Sequence, residues 1–211
     1  MRPVDCGHER HGSTAPARRL ALLGGESSGK TTLAQALAEH LHTDWVPEYG
    51  RELWERLRHT LSVEELLHVA RHQVELEDAV AARHSGWIVC DTTPLTTLQY
   101  CLHDHGQAPA ELLALARRQY HLTVVCEPDF AFVQDGCRRD DGFRQAQHAW
   151  ARAQLQVQGV ACLAARGPVA ERVAQVLARL QQMPAIPSSA IPSSANASPA
   201  RPSPLTQQTE P

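Results

Sequence analysis

The chain has 211 residues, of which 43% are hydrophobic and 20% charged, and a formal net charge of −3. This is enough apolar content for one domain with extensions, and the dispersed arginines exclude nucleic acid as the main ligand. No apolar run approaches the ~20 residues of a membrane span and no signal-peptide core opens the chain, so no membrane insertion and a cytoplasmic location are expected.

Residues 1–17 are polar and broken by Gly and Pro, and read as a disordered leader. Cys6, His8 and His11 lie in it without a second ligand cluster to complete a metal set. The six cysteines do not form a disulfide framework. Cys90, Cys126 and Cys162 fall in apolar strand-like runs as small hydrophobes, and Cys6, Cys101 and Cys137 are scattered, so reduced thiols are expected.

The first strand is read at Leu20-Ala21-Leu22-Leu23, and Gly24-Gly25-Glu26-Ser27-Ser28-Gly29-Lys30-Thr31 follows. Gly, four residues, Gly, Lys and Ser or Thr is the phosphate-loop pattern. Gly24, Gly25 and Gly29 permit backbone angles that turn successive amides of Glu26, Ser27 and Ser28 inward around phosphate oxygens. Lys30 supplies a compact charge for the outer phosphates, and Thr31 a hydroxyl for magnesium. The next helix, with Thr32 in its first turn, brings the positive end of its dipole. Leu33, Leu37 and Leu41 form its apolar face. Of the twenty basic residues nineteen are Arg, and Lys30 is the single Lys, which places the ammonium where a point charge is needed. ATP and Mg2+ are the ligands expected here.

Trp45 to Glu48 reads as a short second strand that ends in Glu48, with a polar helix starting near Arg51. A carboxylate at that edge can accept the proton of an attacking hydroxyl or bind ribose hydroxyls; its structural alternative is pairing with Arg51. Tyr49 offers a ring for stacking or for the core. Ser62-Val63-Glu64-Glu65 is a capping box that opens a long helix, on which His68, His72 and Glu75 read as a solvated flank.

Trp87-Ile88-Val89-Cys90-Asp91 is a buried strand with an acidic end, and Asp91 stands where a second phosphate-loop carboxylate holds magnesium. A helix follows from Thr92, Thr93 and Pro94. Pro109 opens another, and Leu122 to Cys126 is the fourth strand. The segment from Phe130 to Arg144 is irregular and charged. Small-molecule kinases place a lid there, and Arg138, Arg139 and Arg144 could clamp a transferred phosphoryl group while closure excludes water. A helix to about Gln158, a strand at Val160 to Leu163 and an amphipathic helix from Pro168 complete the domain, 18–182. Residues 183–211, rich in Pro and Ser, read as a disordered tail. The alternation predicts an α/β three-layer sandwich with a parallel sheet of about five strands, the first central, and the phosphate loop at its carboxyl edge.

Four stretches carry a resemblance: Gly24 to Leu33, Pro-Glu-Tyr-Gly-Arg-Glu at 47–52, Asp-Thr-Thr-Pro-Leu-Thr-Thr at 91–97 and Asp-Gly-Cys-Arg at 135–138. In this order and spacing they resemble the ribosylnicotinamide kinase domain at the C-terminus of bacterial NAD-salvage regulator proteins, with stand-alone relatives among AAA-type ATPases. The likeness runs from about Leu20 to Leu180. It implies a P-loop nucleoside-kinase-like fold with a lid, and phosphorylation of nicotinamide riboside by ATP to nicotinamide mononucleotide. Carried over by motif, Gly29, Lys30 and Thr31 hold ATP and magnesium. Glu48, Tyr49 and Arg51 line the nucleoside site, Asp91 lies at the metal or hydroxyl, and Arg138 belongs to the lid. Where members often have a second acid two residues after the Asp, this chain has Thr93. The regulators' DNA-binding and adenylyltransferase domains find no counterpart in these residues. Phosphorylation would trap imported nucleoside, making a nicotinamide riboside transporter a functional partner. The alternatives are a kinase for another nucleoside or small metabolite, and an ATP-dependent switch that binds a protein partner.

Overall fold

Leucines at alternating positions of the first strand set the two faces of the sheet. Strand β1 (Arg18–Leu23) sends Leu20 and Leu22 to one core and Leu23 to another. The computed structural model describes residues 17–184 apart from 135 and 137, so the expected leader and tail, and Cys6, His8 and His11, lie outside the described residues, Ala17, Met183 and Pro184 excepted. Around β1 the chain runs α1 (Lys30–Leu41), β2 (Trp45–Val46), α2 (Tyr49–Leu57), α3 (Val63–Ala81) and β3 (Trp87–Asp91). It continues as α4 (Pro94–His105), α5 (Ala110–Leu115), β4 (Leu122–Cys126), α6 (Asp141–Val157), β5 (Cys162–Ala165) and α7 (Val169–Gln182).

All strand pairs are parallel, in the order β2-β3-β1-β4-β5, so β1 is central as the alternation requires. Leu33 and Leu37 of α1 and Val173 and Val176 of α7 cover one face, against Leu20, Leu22, Val89 and Val124. Residues of α2 to α6, among them Leu53, Leu66, Val69, Leu98, Leu112 and Leu155, cover the other against Leu23 and Val125. Parallel strands buried on both faces need this double cover. The result is the expected three-layer α/β sandwich.

Capping chemistry fixes where the helices start. Ser62 and Glu65 form the capping box: Ser62 N donates to Glu65 Oε2 at 2.7 Å and Glu65 N to Ser62 Oγ at 3.2 Å. Three expectations are corrected. The second strand stops at Val46, and Glu48 is the N-cap of α2 instead of a strand end. The last strand begins at Cys162, not Val160, and on this edge strand the Cys162 thiol is exposed instead of buried. Cys101, scattered in sequence, is a fully buried core residue of α4. Among the described residues no helix is long and apolar enough to cross a membrane.

Candidate active site

The loop between β1 and α1 lies at the carboxyl edge of the central strand. Gly24 has φ 138°, and a Cβ there would stand 2.6 Å from the Cys126 carbonyl oxygen. Gly29 caps α1 at φ 78°. Both need the freedom of glycine. Gly25 does not: it needs no positive φ, and it is small because a Cβ would collide with the Arg144 carbonyl of α6. Lys30 is buried, and its Nζ donates to the carbonyls of Gly24 and Gly25 at 3.1 and 3.0 Å. The ammonium is thereby folded back over the loop that it serves.

Thr31 and Asp91 come together from α1 and β3. Thr31 Oγ1 donates to Asp91 Oδ2 at 2.6 Å, while Asp91 Oδ1 is buried without a partner among the described residues. Burial is the main force raising the Asp91 pKa, opposed by the Thr31 hydrogen bond and the charge of Lys30. A hydroxyl, one carboxylate with a free lone pair and a glycine cradle fit a magnesium ion that keeps its other ligands from water and phosphate.

The loop opens into a cavity of about 520 Å³. Glu26 to Thr32, Glu48, Gly50, Arg51, Trp54, Thr92, Tyr100, Arg138 and Arg139 are among its walls. Glu48 stands 3.9 Å from Arg51 Nε, and its side chain is 20% exposed. Its carboxyl is pushed up by burial, with Lys30 pulling down and Asp91 pushing up. A carboxylate raised by its environment and facing the loop is suited to take a proton.

Thr92, just after Asp91, holds φ 83°, a costly angle for a β-branched residue. Its amide donates to Leu22 O at 3.1 Å, and its Oγ1 has no partner among the described residues. Thr93, at the place where the resemblance implies a second acid, spends its hydroxyl on capping α4 by accepting from Leu95 N at 3.2 Å. A cap, not a second acid, occupies that place.

The irregular segment after β4 does lie on the phosphate loop. Ser27 Oγ accepts from Val133 N and from Arg138, each at 3.2 Å, and Arg139 N donates to Glu26 Oε2 at 2.8 Å. Arg139 turns its guanidinium to Asp104, in bonds of 2.6 and 2.7 Å, and lies 4.4 Å over the Phe143 ring. Two expected site residues are placed elsewhere. Arg144 belongs to α6, is 3% exposed, and is bound to Phe130 O at 2.9 Å and Asp141 at 2.5 Å, so it props the loop instead of clamping a ligand. Tyr49 packs on His72 with ring centroids 4.3 Å apart and meets His68 Nε2 at 3.2 Å, away from the cavity wall, where Trp54 stands instead.

The loop's supports carry no motif signal. Arg172, 2% exposed on α7, donates to Ser28 O and Glu127 O, each at 2.8 Å, to Gly167 O at 2.7 Å, and pairs with Asp129. Gln147 Oε1 accepts from Glu26 N at 2.7 Å, and Tyr100 OH donates to Glu26 Oε1 at 2.7 Å. These residues come from distant helices and have no motif spacing.

A parallel sheet with the phosphate loop after its central strand, and an acid ending the neighbouring strand, defines a P-loop α/β protein. The chain belongs to the AAA domain family, whose match spans residues 19–172. The resemblance to the NAD-salvage regulators holds. The trifunctional NAD biosynthesis/regulator protein NadR of Escherichia coli K12 is 29% identical over 137 residues, 57% of this chain and 31% of that protein. Its counterpart in Salmonella typhimurium LT2 is 30% identical over the same shares. The chain thus spans about a third of the length of these curated relatives. Among solved structures, NadR protein in complex with NR superposes with a TM-score of 0.61 at 19% identity, over 76% of this chain and 50% of that one. Thymidylate kinase from Ehrlichia chaffeensis gives 0.56 at 17%, over 79% of this chain and all of that one. At these identities the superpositions show a fold shared with these proteins.

Proposed function

We propose that the protein phosphorylates nicotinamide riboside with ATP to give nicotinamide mononucleotide and ADP. The observation that carries this reading is one cavity walled by both the phosphate loop and Glu48. Donor and acceptor could therefore meet there, with a carboxylate beside the acceptor. The NadR relatives support the acceptor, since one NadR structure holds NR and another NAD and AMP-PNP.

In this reading Lys30 leaves the Gly24 and Gly25 carbonyls for the outer phosphates, and the loop amides hold the remaining oxygens. Thr31 and Asp91 would hold magnesium, which would supply neutralisation of phosphate charge when bound. Glu48 accepts the proton of the 5′-hydroxyl while that oxygen bonds to the γ-phosphorus and the bond to the ADP oxygen breaks. Arg51 shares the nucleoside side. Arg138, already bound to Ser27, stays over the transferred group, and Arg139 can join it only by releasing Asp104. Adding a phosphate would retain the nucleoside inside a cell, which couples a cytoplasmic enzyme functionally to a nicotinamide riboside transporter.

The fold shared with deoxyadenosine kinase from M. mycoides favours a second reading, a kinase for another nucleoside or small metabolite. Purified protein with magnesium-ATP and a nucleoside panel separates the two by product mass. Nicotinamide mononucleotide is the expected product. Another phosphorylated nucleoside selects the second reading, and ATP turnover that no acceptor stimulates points to a switch that binds a protein partner.

A further inference from the structure

Helix α3 reaches the cavity with Leu66, Val69 and Gln73, spaced three and four residues apart and so on one face. Two of these are apolar. The third is an amide only 1% exposed. Tyr49 N donates to Gln73 Oε1 at 3.1 Å, which fixes the amide's orientation, because a backbone N–H meets only an acceptor. Gln73 Nε2 then has no hydrogen-bond partner among the described residues. The oxygen has a structural task, satisfying a free amide in the first turn of α2; the nitrogen has none. A buried donor left unpaired is costly, and folded proteins keep few of them. The surrounding wall is formed by Trp54, Leu61, Leu66 and Val69, an apolar surface suited to a planar ring.

We infer that Gln73 is a specificity-determining residue for the phosphoryl acceptor, its Nε2 donating to an oxygen of the bound nucleoside. This rests on the nucleoside-kinase reading above. The oxygen is a ribose hydroxyl or a carbonyl carried by the base. Both present the same lone pairs to one neutral donor. A single donor beside an apolar wall discriminates by omission, since an acceptor lacking that oxygen leaves the amide unpaired in a closed site.

The test uses Gln73→Glu, which keeps an oxygen for Tyr49 N–H and removes the donor, and Gln73→Met, which adds no charge. Each variant and the wild type are titrated calorimetrically, without ATP, with nicotinamide riboside, its ribose-deoxy analogues and an analogue lacking the carboxamide. Values of kcat/KM are measured alongside, and folding is checked by thermal melting. Binding of the intact nucleoside is expected to weaken about 10- to 100-fold in both variants, with the KM for ATP unchanged. For the analogue that lacks the paired oxygen, the penalty is expected to shrink to about 3-fold or less, and which analogue does so tells ribose from base. Equal losses for every analogue, or wild-type binding by the variants, would overturn the inference. If the wild type binds nucleoside without phosphorylating it, the kinase reading fails and the binding series still decides Gln73. If it binds no nucleoside, both fall.

Discussion

The two edges of the sheet carry buried acids in opposite ways. At the amino edge, Glu77 is completely buried, and its carboxylate accepts from Tyr120 OH and from Arg118 Nε, each at 3.0 Å. Arg118 also pairs with Asp78, which takes a second partner in Arg19 at 2.6 Å. At the carboxyl edge, Asp91 keeps one oxygen without a partner among the described residues, and Ser28 Oγ, Thr92 Oγ1 and Gln73 Nε2 share that condition. Burial raises the carboxyl pKa at both edges. One edge satisfies its buried acid with an arginine and a phenol and so holds the fold, although Arg19 Nε there has no partner among the described residues. The other leaves its acid with an oxygen unused, as a ligand site does.

The largest effect expected from breaking this contrast is at Lys30. Lys30→Ala should lower turnover by about three orders of magnitude or more while the melting temperature changes little; near-normal turnover would remove the phosphate-loop assignment. Next come the two acids. Glu48→Gln should cost about 10²- to 10⁴-fold in kcat with magnesium dependence intact, whereas Asp91→Asn should also raise the magnesium requirement. Because burial raises the Glu48 carboxyl, the acid limb of kcat/KM should lie above the ordinary carboxylate range, and Glu48→Gln should abolish it.

The amino edge should respond in stability alone. Arg118→Leu leaves Glu77 buried and undercompensated, which should cost about 3 kcal/mol in denaturant unfolding without changing the KM for ATP. The smallest effect is a slope. Burial pushes the Glu77 pKa up to about 7, against an ordinary 4.5. The folded protein therefore holds that proton more tightly than the unfolded chain. Its contribution is complete below about pH 4.5 and is lost as pH rises through about 7. Melting curves at pH 5 and pH 8 should differ less in Glu77→Gln than in the wild type. An identical pH difference in both would place the titration elsewhere.

This contrast also separates what was legible from what was not. The loop, Asp91 and Glu48 sit in runs whose spacing carries meaning, and the structure brings the loop and Glu48 to one cavity and sets Asp91 against Thr31 of the loop. Tyr49, beside Glu48, and Arg144, at the end of the charged segment after β4, turn away, because a helix start directs neighbouring side chains to different sides. Tyr49 follows Glu48 by one residue and meets His68 and His72 of α3. Arg144 lies one turn into α6, beneath the loop and not over it. Glu77, Arg172 and Gln73 gave no signal. The partners of Glu77 are 41 and 43 residues away, and Arg172 reaches back 144 residues to Ser28.

Local chemistry determined the element order, the parallel α/β class and the phosphate loop. Glycine freedom, apolar periodicity and capping act over a few residues and need no distant partner. Tertiary structure alone decided which polar groups are satisfied. That depends on which helices cover each strand edge, and so on pairings across the whole chain. Glu77 became a paired acid, Arg172 a brace for the loop and Gln73 a half-bonded amide at the cavity wall for that reason.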